Sequence, residues 1–278
     1  MKIGMIIRDT LETLVNDPSH DGDYDFLKYL SEKAGYGLEI KDFHEIENVD
    51  IAFFLYYPFN RELCENLQKY ESIIPFVNKP SGVLKTSEKT YELENWGQYA
   101  PQTMLLSKNS YDEISKYINQ FDTVVLKPVN GTGGNGIEFF DRPYREDDIS
   151  SLVELSVNDG RFIIQEYVEN DGATRIVCYN GKILGGVKRA SQSDRIHNIV
   201  RGAKLVEYNP TSKELEIAKH VSEKLIKDGV YLAGLDIVNE KLLEVNTAMP
   251  GCLGMVEDVN GAYETVLAET YDIIKSHS

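Results

Sequence analysis

The segment that constrains this chain most runs from Thr123 to Asp141, Thr-Val-Val-Leu-Lys-Pro-Val-Asn-Gly-Thr-Gly-Gly-Asn-Gly-Ile-Glu-Phe-Phe-Asp. The run Thr123–Leu126 is β-branched and apolar, which predicts a buried strand that delivers Lys127 at its end. Four glycines follow within Gly131–Gly136, then a second apolar run, Ile137–Phe140. A loop this rich in glycine is not a helix, and its apolar flanks are not those of a disordered tract. Glycine lets backbone N–H groups approach a ligand closely, and a row of such donors beside an ammonium suits a phosphate. Gly131, Gly133 and Gly136 also spell G-x-G-x-x-G. A dinucleotide site would need a helix next, and a P-loop would need Lys-Ser/Thr after the last glycine; neither is present. Strand–glycine loop–strand leaves two readings, a flap lying over nucleotide phosphates and an ordinary glycine hairpin.

The second informative stretch is Ala233–Thr247, where Asp236, Glu244 and Asn246 interrupt otherwise apolar strands. Glu244 and Asn246 share a face by the two-residue period of a strand. Asp236 opposes Glu244 if the turn holds three residues centred on Glu240; a two-residue turn would put the two carboxylates on opposite faces. Two carboxylates and an amide on one face suit a hard cation such as Mg²⁺. Leu235, Ile237, Leu243 and Val245 imply core strands, where unpaired carboxylates would be costly. Positive charge also collects at Arg175, Lys188, Arg189, Arg195 and Arg201, a set suited to binding anions.

The remainder of the chain sets bounds. Its 278 residues allow one to three domains. A net charge of −16 argues against nucleic-acid binding but permits an anionic substrate at a locally basic site. Cys64, Cys178 and Cys252 are odd in number and form no CxxC, which reads as reduced, buried thiols of a cytoplasmic protein. The N-terminus looks like a first strand rather than a secretory segment, and no apolar run is long enough to span a membrane.

Strands are expected at 2–7, 37–40, 51–57 and 74–77, with helices at 24–33 and 61–70; this alternation implies a mostly parallel sheet. Arg8-Asp9 and Tyr56–Asn60 fall at the strands' carboxyl ends and are candidate substrate contacts. Residues 78–82 form a turn cluster, after which a helix opens capped by Thr86 or Ser87. Further on, strands are expected at 103–106, 161–168, 231–238 and 241–247, and helices at 111–121, 146–157, 211–228 and 261–275. Asn180-Gly181 predicts a hairpin between 174–179 and 182–186. The helix 211–228 presents Leu215, Ala218, Val221, Leu225 and Ile226 as one stripe.

Taken together, these residues resemble the ATP-grasp superfamily, most closely prokaryotic glutathione synthetases and ribosomal-protein glutamate ligases. The similarity runs over roughly residues 78–255 and more weakly over the first 77. Each motif alone is weak; their joint match is specific. The resemblance implies an α/β fold, the ATP-grasp fold. An N-terminal parallel-sheet domain (1–80) would precede a central lid domain with the glycine-rich loop (81–164) and a C-terminal ATP-grasp domain (165–278), the last two sandwiching ATP. It implies that Lys89 and Lys127 contact the nucleotide phosphates and that Gly131, Gly133 and Gly134 cover them. Gln165, Glu166, Tyr167 and Val168 would hold adenine, and Asp171 would fall near the ribose. Arg175, with Arg189, would stabilise the transferred phosphate, and Asp236, Glu244 and Asn246 would hold two Mg²⁺ ions, with Mn²⁺ as a substitute. Arg195, Asn198, Arg201, Pro250 and Gly251 would lie near the substrates.

The implied activity is amide formation from a carboxylate and an amine through an acylphosphate. Small-molecule or peptide substrates are implied, with neither nucleic acid nor membrane as partner; relatives often form homo-oligomers. An amino-acid ligase acting on a peptide, carrier protein or natural product, a nucleotide sensor without ligase activity, and a kinase are the alternatives; H-R-D and D-F-G motifs are missing for the last. Two departures bear on the substrates. The segment Arg189–Asn198 is one residue shorter than the family pattern, which leaves the role of Arg195 open, and the first domain is shorter than in bacterial glutathione synthetases.

Overall fold

The computed structural model describes residues 1–17, 24–131, 133–157, 160–191, 195–196 and 203–277. Strands β1 (Ile3–Ile6), β2 (Gly37–Glu39), β3 (Ile51–Phe54) and β4 (Phe76–Val77) form a parallel sheet in the order β2–β1–β3–β4. Helices α1 (Leu11–Val15), α2 (Asp25–Ala34) and α3 (Arg61–Leu67) supply the crossovers expected of strand–helix alternation. The sequence reading misses α1, because five residues are too few to show a helical period. Thr10 caps it by accepting from the Thr13 N–H at 3.1 Å. It likewise misses the 3₁₀ turn Phe43–Asn48, closed by a capping box between Asp42 and Glu45.

The cluster at 78–82 is not a loose linker. Asn78 is fully buried, and its side chain bonds four backbone groups. It donates to the Leu232 and Thr247 carbonyls at 2.7 Å each, and accepts from the Tyr231 and Leu232 N–H groups at 2.9 and 2.7 Å. Pro80 then opens α4 (Pro80–Thr86), pre-set for a first helical position. The expected hydroxyl cap fails for that reason: Thr86 lies inside α4 and Ser87 ends it. Helix α5 (Lys89–Trp96) follows Glu88 with no side-chain cap and begins on Lys89 itself.

Two antiparallel sheets follow. The lid sheet has the order β5–β8–β6–β7, from β5 (Thr103–Leu106), β6 (Thr123–Pro128), β7 (Glu138–Asp141) and β8 (Phe162–Glu166). Helices α6 (Tyr111–Ile118) and α7 (Glu146–Ser156) pack on it through Leu106, Ile114, Val124, Leu126, Leu152 and Ile164. The third sheet has the order β11–β10–β9–β12–β13, from β9 (Ala173–Tyr179), β10 (Lys182–Ala190), β11 (Lys204–Glu207), β12 (Leu232–Val238) and β13 (Lys241–Asn246). Helix α8 (Ser212–Lys227), capped by Thr211 with Glu214, covers one face of that sheet through Ile217, Val221 and Leu225. Leu215 of the expected stripe is instead 37% exposed, and Ile217 takes its place.

On the opposite face, Tyr179, Leu184 and Leu232 join Ile3, Phe53 and Val77 of the first sheet, together with α9 (Leu253–Asn260) and α10 (Ala262–His277), in one core. The first and third sheets therefore share a core, whereas the lid has its own. Among the described residues no helix is long and apolar enough to cross a membrane.

Candidate active site

The register of β12 against β13 decides whether the two carboxylates meet. The turn has two residues, Asn239-Glu240, with Val238 paired to Lys241, not the three that the sequence reading required. Both turn residues have positive φ, 44° and 62°, as a tight hairpin turn demands. Asp236 nevertheless opposes Glu244, because the register shifts between Asp236 and Ile237, where an extra residue in β13 bulges. The bulge reverses the facing that a plain two-residue hairpin would impose. Gly234 opposes Asn246 on the same face, so Asp236, Glu244 and Asn246 stand together as expected, by a different route.

Across β9, Arg175 is paired with Asp236, and across β10, Arg189 stands two residues along from the Arg175 partner Val187. Arg175 grips Asp236 with two bonds, Nε to Oδ1 at 2.6 Å and Nη2 to Oδ2 at 3.0 Å. Its Nη1 donates to the Pro250 carbonyl. That carbonyl reaches Arg175 only because residue 234 is glycine, since a Cβ there would sit 2.0 Å from the Pro250 oxygen. Arg189 donates a third bond to Asp236 through Nη2. Burial opposes ionisation of Asp236, but the two guanidiniums overcome it and hold the carboxyl far below the ordinary range. Arg189 is 6% exposed, and among the described residues its Nε–H is a buried side-chain donor with no protein acceptor. Such a group invites an anionic oxygen, because leaving it unpaired is costly.

From the lid side, Lys127 and Gln165 extend from neighbouring strands, with Nζ 2.6 Å from Gln165 Oε1. Burial and then repulsion from Lys89 push the Lys127 ammonium down to about 8. Lys89 reaches from α5 to Glu244 at 2.9 Å and to the Gly131 carbonyl at 3.0 Å. Burial lowers its pKa, but the Glu244 carboxylate outweighs that and raises it overall. The loop glycines at 133, 134 and 136 all have positive φ, between 65° and 77°, a backbone shape that side-chain-bearing residues rarely adopt.

Lys89, Lys127, Arg189, Asp236 and Glu244 all line one cleft between the lid sheet and the third sheet. The cleft, with its open mouth included, encloses about 940 Å³ of space. Gly131, Gly134, Gln165, Glu166, Tyr167, Val168 and Arg195 also line it. Val125, Ile137, Phe139, Val168 and Leu243 give the cleft an apolar part. A second, smaller cavity shares Lys89, Gly131 and Glu244 with the first and adds Tyr57, Phe59, Ser87, Asn246 and Met249.

Some expected residues lie elsewhere. Arg175 stands behind Asp236 with its nitrogens engaged by Asp236 and Pro250, and it does not line the cleft. Asp171 is 85% exposed and bonded to Lys188 at 2.6 Å, while its neighbour Asn170 lines the cleft. Gly133 lies beside the Tyr57 hydroxyl, outside the lining. Pro250 and Gly251 contribute backbone behind Arg175, Gly251 at φ 64°. Of the N-terminal candidates, Tyr57 and Phe59 reach the second cavity, whereas Arg8 is exposed. Asn198 and Arg201 lie outside the described residues.

The sequence reading missed Glu92, one helical turn after Lys89. It accepts the Val245 N–H at 2.7 Å, lines the second cavity, and is pushed up to about 8 by burial, against the pull of Lys89. Its spacing from Lys89 was a signal that could have found it. All three cysteines are buried and none is in a disulfide, as expected, and burial pushes the Cys64 and Cys178 thiols up to about 12.

Similarity to known proteins follows the same geometry. Over the whole chain the fold matches the D-alanine–D-alanine ligase of Bacillus anthracis complexed with ATP, with a TM-score of 0.67 at 17% identity and full coverage of both chains. It also matches D-cycloserine synthetase, with a TM-score of 0.70 at 15% identity over 96% of this chain and 99% of that one. In sequence, the chain is 32% identical over 190 residues to the glutathione synthetase of Synechococcus elongatus, covering 66% of this chain and 57% of that protein. The chain thus spans less than two thirds of the length of the first curated relatives that it matches. The family model described as prokaryotic glutathione synthetase, ATP-grasp domain, matches residues 88–261, a stretch that begins at Glu88 beside the first cleft lysine and runs past both carboxylates and Asn246. With that match, the cleft between two antiparallel sheets places the chain in the prokaryotic glutathione synthetase ATP-grasp family.

Proposed function

We propose that the chain is an ATP-dependent carboxylate–amine ligase, glutathione synthetase-like, that forms an amide through an acylphosphate and releases ADP and phosphate. The observation that carries this reading is the convergence of two lysines, an incompletely paired arginine and two carboxylates on one cleft. Phosphoryl transfer asks for charge neutralisation and in-line positioning rather than covalent help.

In this reading ATP lies in the cleft with its base at the apolar end. Glu166 and Tyr167 already donate their N–H groups to the Gln102 and Thr123 carbonyls, so Val168 is the hinge residue placed to offer a backbone donor. Lys127 bonds the neutral Gln165 amide, and it turns its ammonium to the phosphates. The Arg189 Nε–H meets the transferred group, where charge develops. Arg175 acts one step back, fixing Asp236.

Asp236, Glu244 and Asn246 form a donor set that fits Mg²⁺: oxygen ligands on adjacent register positions, with Glu244 bonded through one oxygen only. Among the described residues no cluster of three or more His, Cys, Asp or Glu offers a rival site. Bound there, the ion would supply charge neutralisation at the phosphates.

The acid and amine would meet in the second cavity, which opens on the same Lys89–Glu244 pair. Its Tyr57, Phe59 and Met249 walls favour an apolar portion on one substrate, and this observation keeps amino-acid addition to a peptide or natural product beside tripeptide formation as the second reading. We place the enzyme in the cytoplasm, where three thiols outside any disulfide stay reduced.

The test pairs γ-glutamylcysteine, glutamate and bulkier acids with glycine and other amines, and reads ADP release. Hydroxylamine should trap the acylphosphate as a hydroxamate. Lys127→Ala and Glu244→Gln should each lower substrate-dependent ADP release by at least about a hundredfold, the scale of losing one charge-stabilising group. Near-normal turnover in either variant would defeat the assignment.

A further inference from the structure

Arg195 does not stand with the phosphate and substrate groups. It lines the cleft five positions beyond the end of β10 and reaches the outer lid strand. Its Nη1 bonds both oxygens of Asp141, at 2.9 and 3.2 Å, on the outer lid strand β7. Its guanidinium lies 5.4 Å from the ring centroid of Phe139, on the same strand, and 5.6 Å from that of Tyr167, at the hinge. Those two rings contact each other edge to face, at 5.6 Å. Asp141 is in turn fixed by the Thr123 hydroxyl at 2.7 Å, and the Thr123 bond followed by that of Arg195 holds its carboxyl below the ordinary range.

The lid packs on its own core, separate from the core shared by the first and third sheets. A body of this kind moves as a unit unless something ties it to its neighbour. The Arg195 side chain is such a tie, placed where a nucleotide base would enter and leave.

We infer that Arg195 is a nucleotide-positioning residue: it clasps the lid to the third sheet across the base end of the cleft and so slows the release of bound nucleotide. This rests on the reading of the cleft as an ATP site. It assigns Arg195 to nucleotide residence instead of to the acid or amine.

The test uses the full chain with MgADP as probe, following affinity by calorimetry and release by stopped-flow displacement. Arg195→Ala should weaken MgADP about tenfold, almost wholly through faster release, the combined scale of a cation–π contact and a half-exposed ion pair. Arg195→Lys should recover less than half of that, since an ammonium lacks the planar face that meets two rings. Asp141→Asn should weaken binding less, and adding it to Arg195→Ala should do no further harm, because both remove the same clasp. With any workable substrate pair, the KM for ATP should rise and that for the amine should not.

An Arg195→Ala variant with wild-type melting temperature and unchanged MgADP release would overturn the clasp. So would a rise confined to the amine KM, which would return Arg195 to the substrate side. A wild-type chain that binds no MgADP would overturn the ligase reading along with it, so the two failures are separable.

Discussion

The two antiparallel sheets that face each other across the cleft handle charge in opposite ways. The third sheet neutralises its own: Asp236 takes three bonds from two buried arginines, and Glu244 takes Lys89 from α5. The lid presents Lys127 against a neutral amide and a loop whose glycines 133, 134 and 136 adopt positive φ. One wall is an ion network continuous with the main core; the other is a separately packed body whose lysine bonds the Gln165 amide and feels Glu244, Glu92 and Asp236 through space. The contrast teaches that position, not charge alone, divides labour here. In the proposed reading, the third sheet pairs its charges internally and the lid lysine is completed by the ligand.

The sharpest way to break this contrast is at Asp236. Asp236→Ala would leave Arg175 and Arg189 buried without their carboxylate, and removing one partner of a buried pair costs about 3–5 kcal/mol. Urea denaturation should show that loss, and turnover should vanish with it. A variant of unchanged stability would mean that the arginines do not depend on Asp236.

Lys127 should behave in the opposite way. Its folded pKa, about 8, lies below the ordinary 10.5. Below pH 8 the lysine is charged in both states, and the folded chain carries the whole penalty of burying it. Between 8 and 10.5 the unfolded chain alone keeps the proton, so the penalty fades as pH rises. Lys127→Met should therefore match or exceed wild-type stability at pH 7, with the gap closing toward pH 10.5, while MgATP binding falls by about a hundredfold or more. Loss of stability at pH 7 would show that Lys127 is part of a settled network after all.

Glu92 sets a smaller test, on the wall that Lys89 neutralises. Burial, partly countered by Lys89, raises it to about 8 from 4.5. The folded chain then holds a proton between pH 4.5 and 8 that the unfolded chain has released, so wild-type stability falls as pH rises through that window. Glu92→Gln keeps an oxygen to accept the Val245 N–H and removes the titration. Its stability relative to wild type should rise steadily from about pH 4.5 to 8, and a flat difference would contradict the raised value.

Much of this was legible in sequence because local signals agreed with the fold. The strand Thr103–Leu106, the Asn-Gly hairpin and the amphipathic helix after Thr211 each sit where short-range chemistry put them. Lys127 and the carboxylate pair were visible because charged residues in or at the end of apolar strands need a reason, whereas Lys89, at the start of α5, was implied by the resemblance alone. What stayed hidden depends on register and on distant partners. A bulge in β13, not the turn length, aligns Asp236 with Glu244. Asn78 reads as a turn residue and is a buried junction to β12, more than 150 positions along the chain. Arg175 reads as a phosphate contact, yet the strand pairing turns it onto Asp236 instead.

The smallest expected effect concerns the ribose end, where the resemblance implied Asp171. Its carboxylate points to Lys188, whose ammonium also lies 5.8 Å from the Tyr208 ring, and the carboxylate itself stands 85% exposed to water. Exposed pairs of this kind contribute about 0–1 kcal/mol. Asn170 instead lines the cleft and shapes the hinge, donating to the Val168 carbonyl at 2.7 Å and accepting the Gly172 N–H at 3.0 Å. Asp171→Ala should therefore change the MgADP dissociation constant by less than about twofold, while Asn170→Ala should raise it by roughly fivefold, about one lost hydrogen bond. The reverse order would place the ribose contact on Asp171 and require the hinge to turn that carboxylate inward when nucleotide binds. The comparison of the two walls would then extend to the hinge, which would join the lid as a part completed by its ligand.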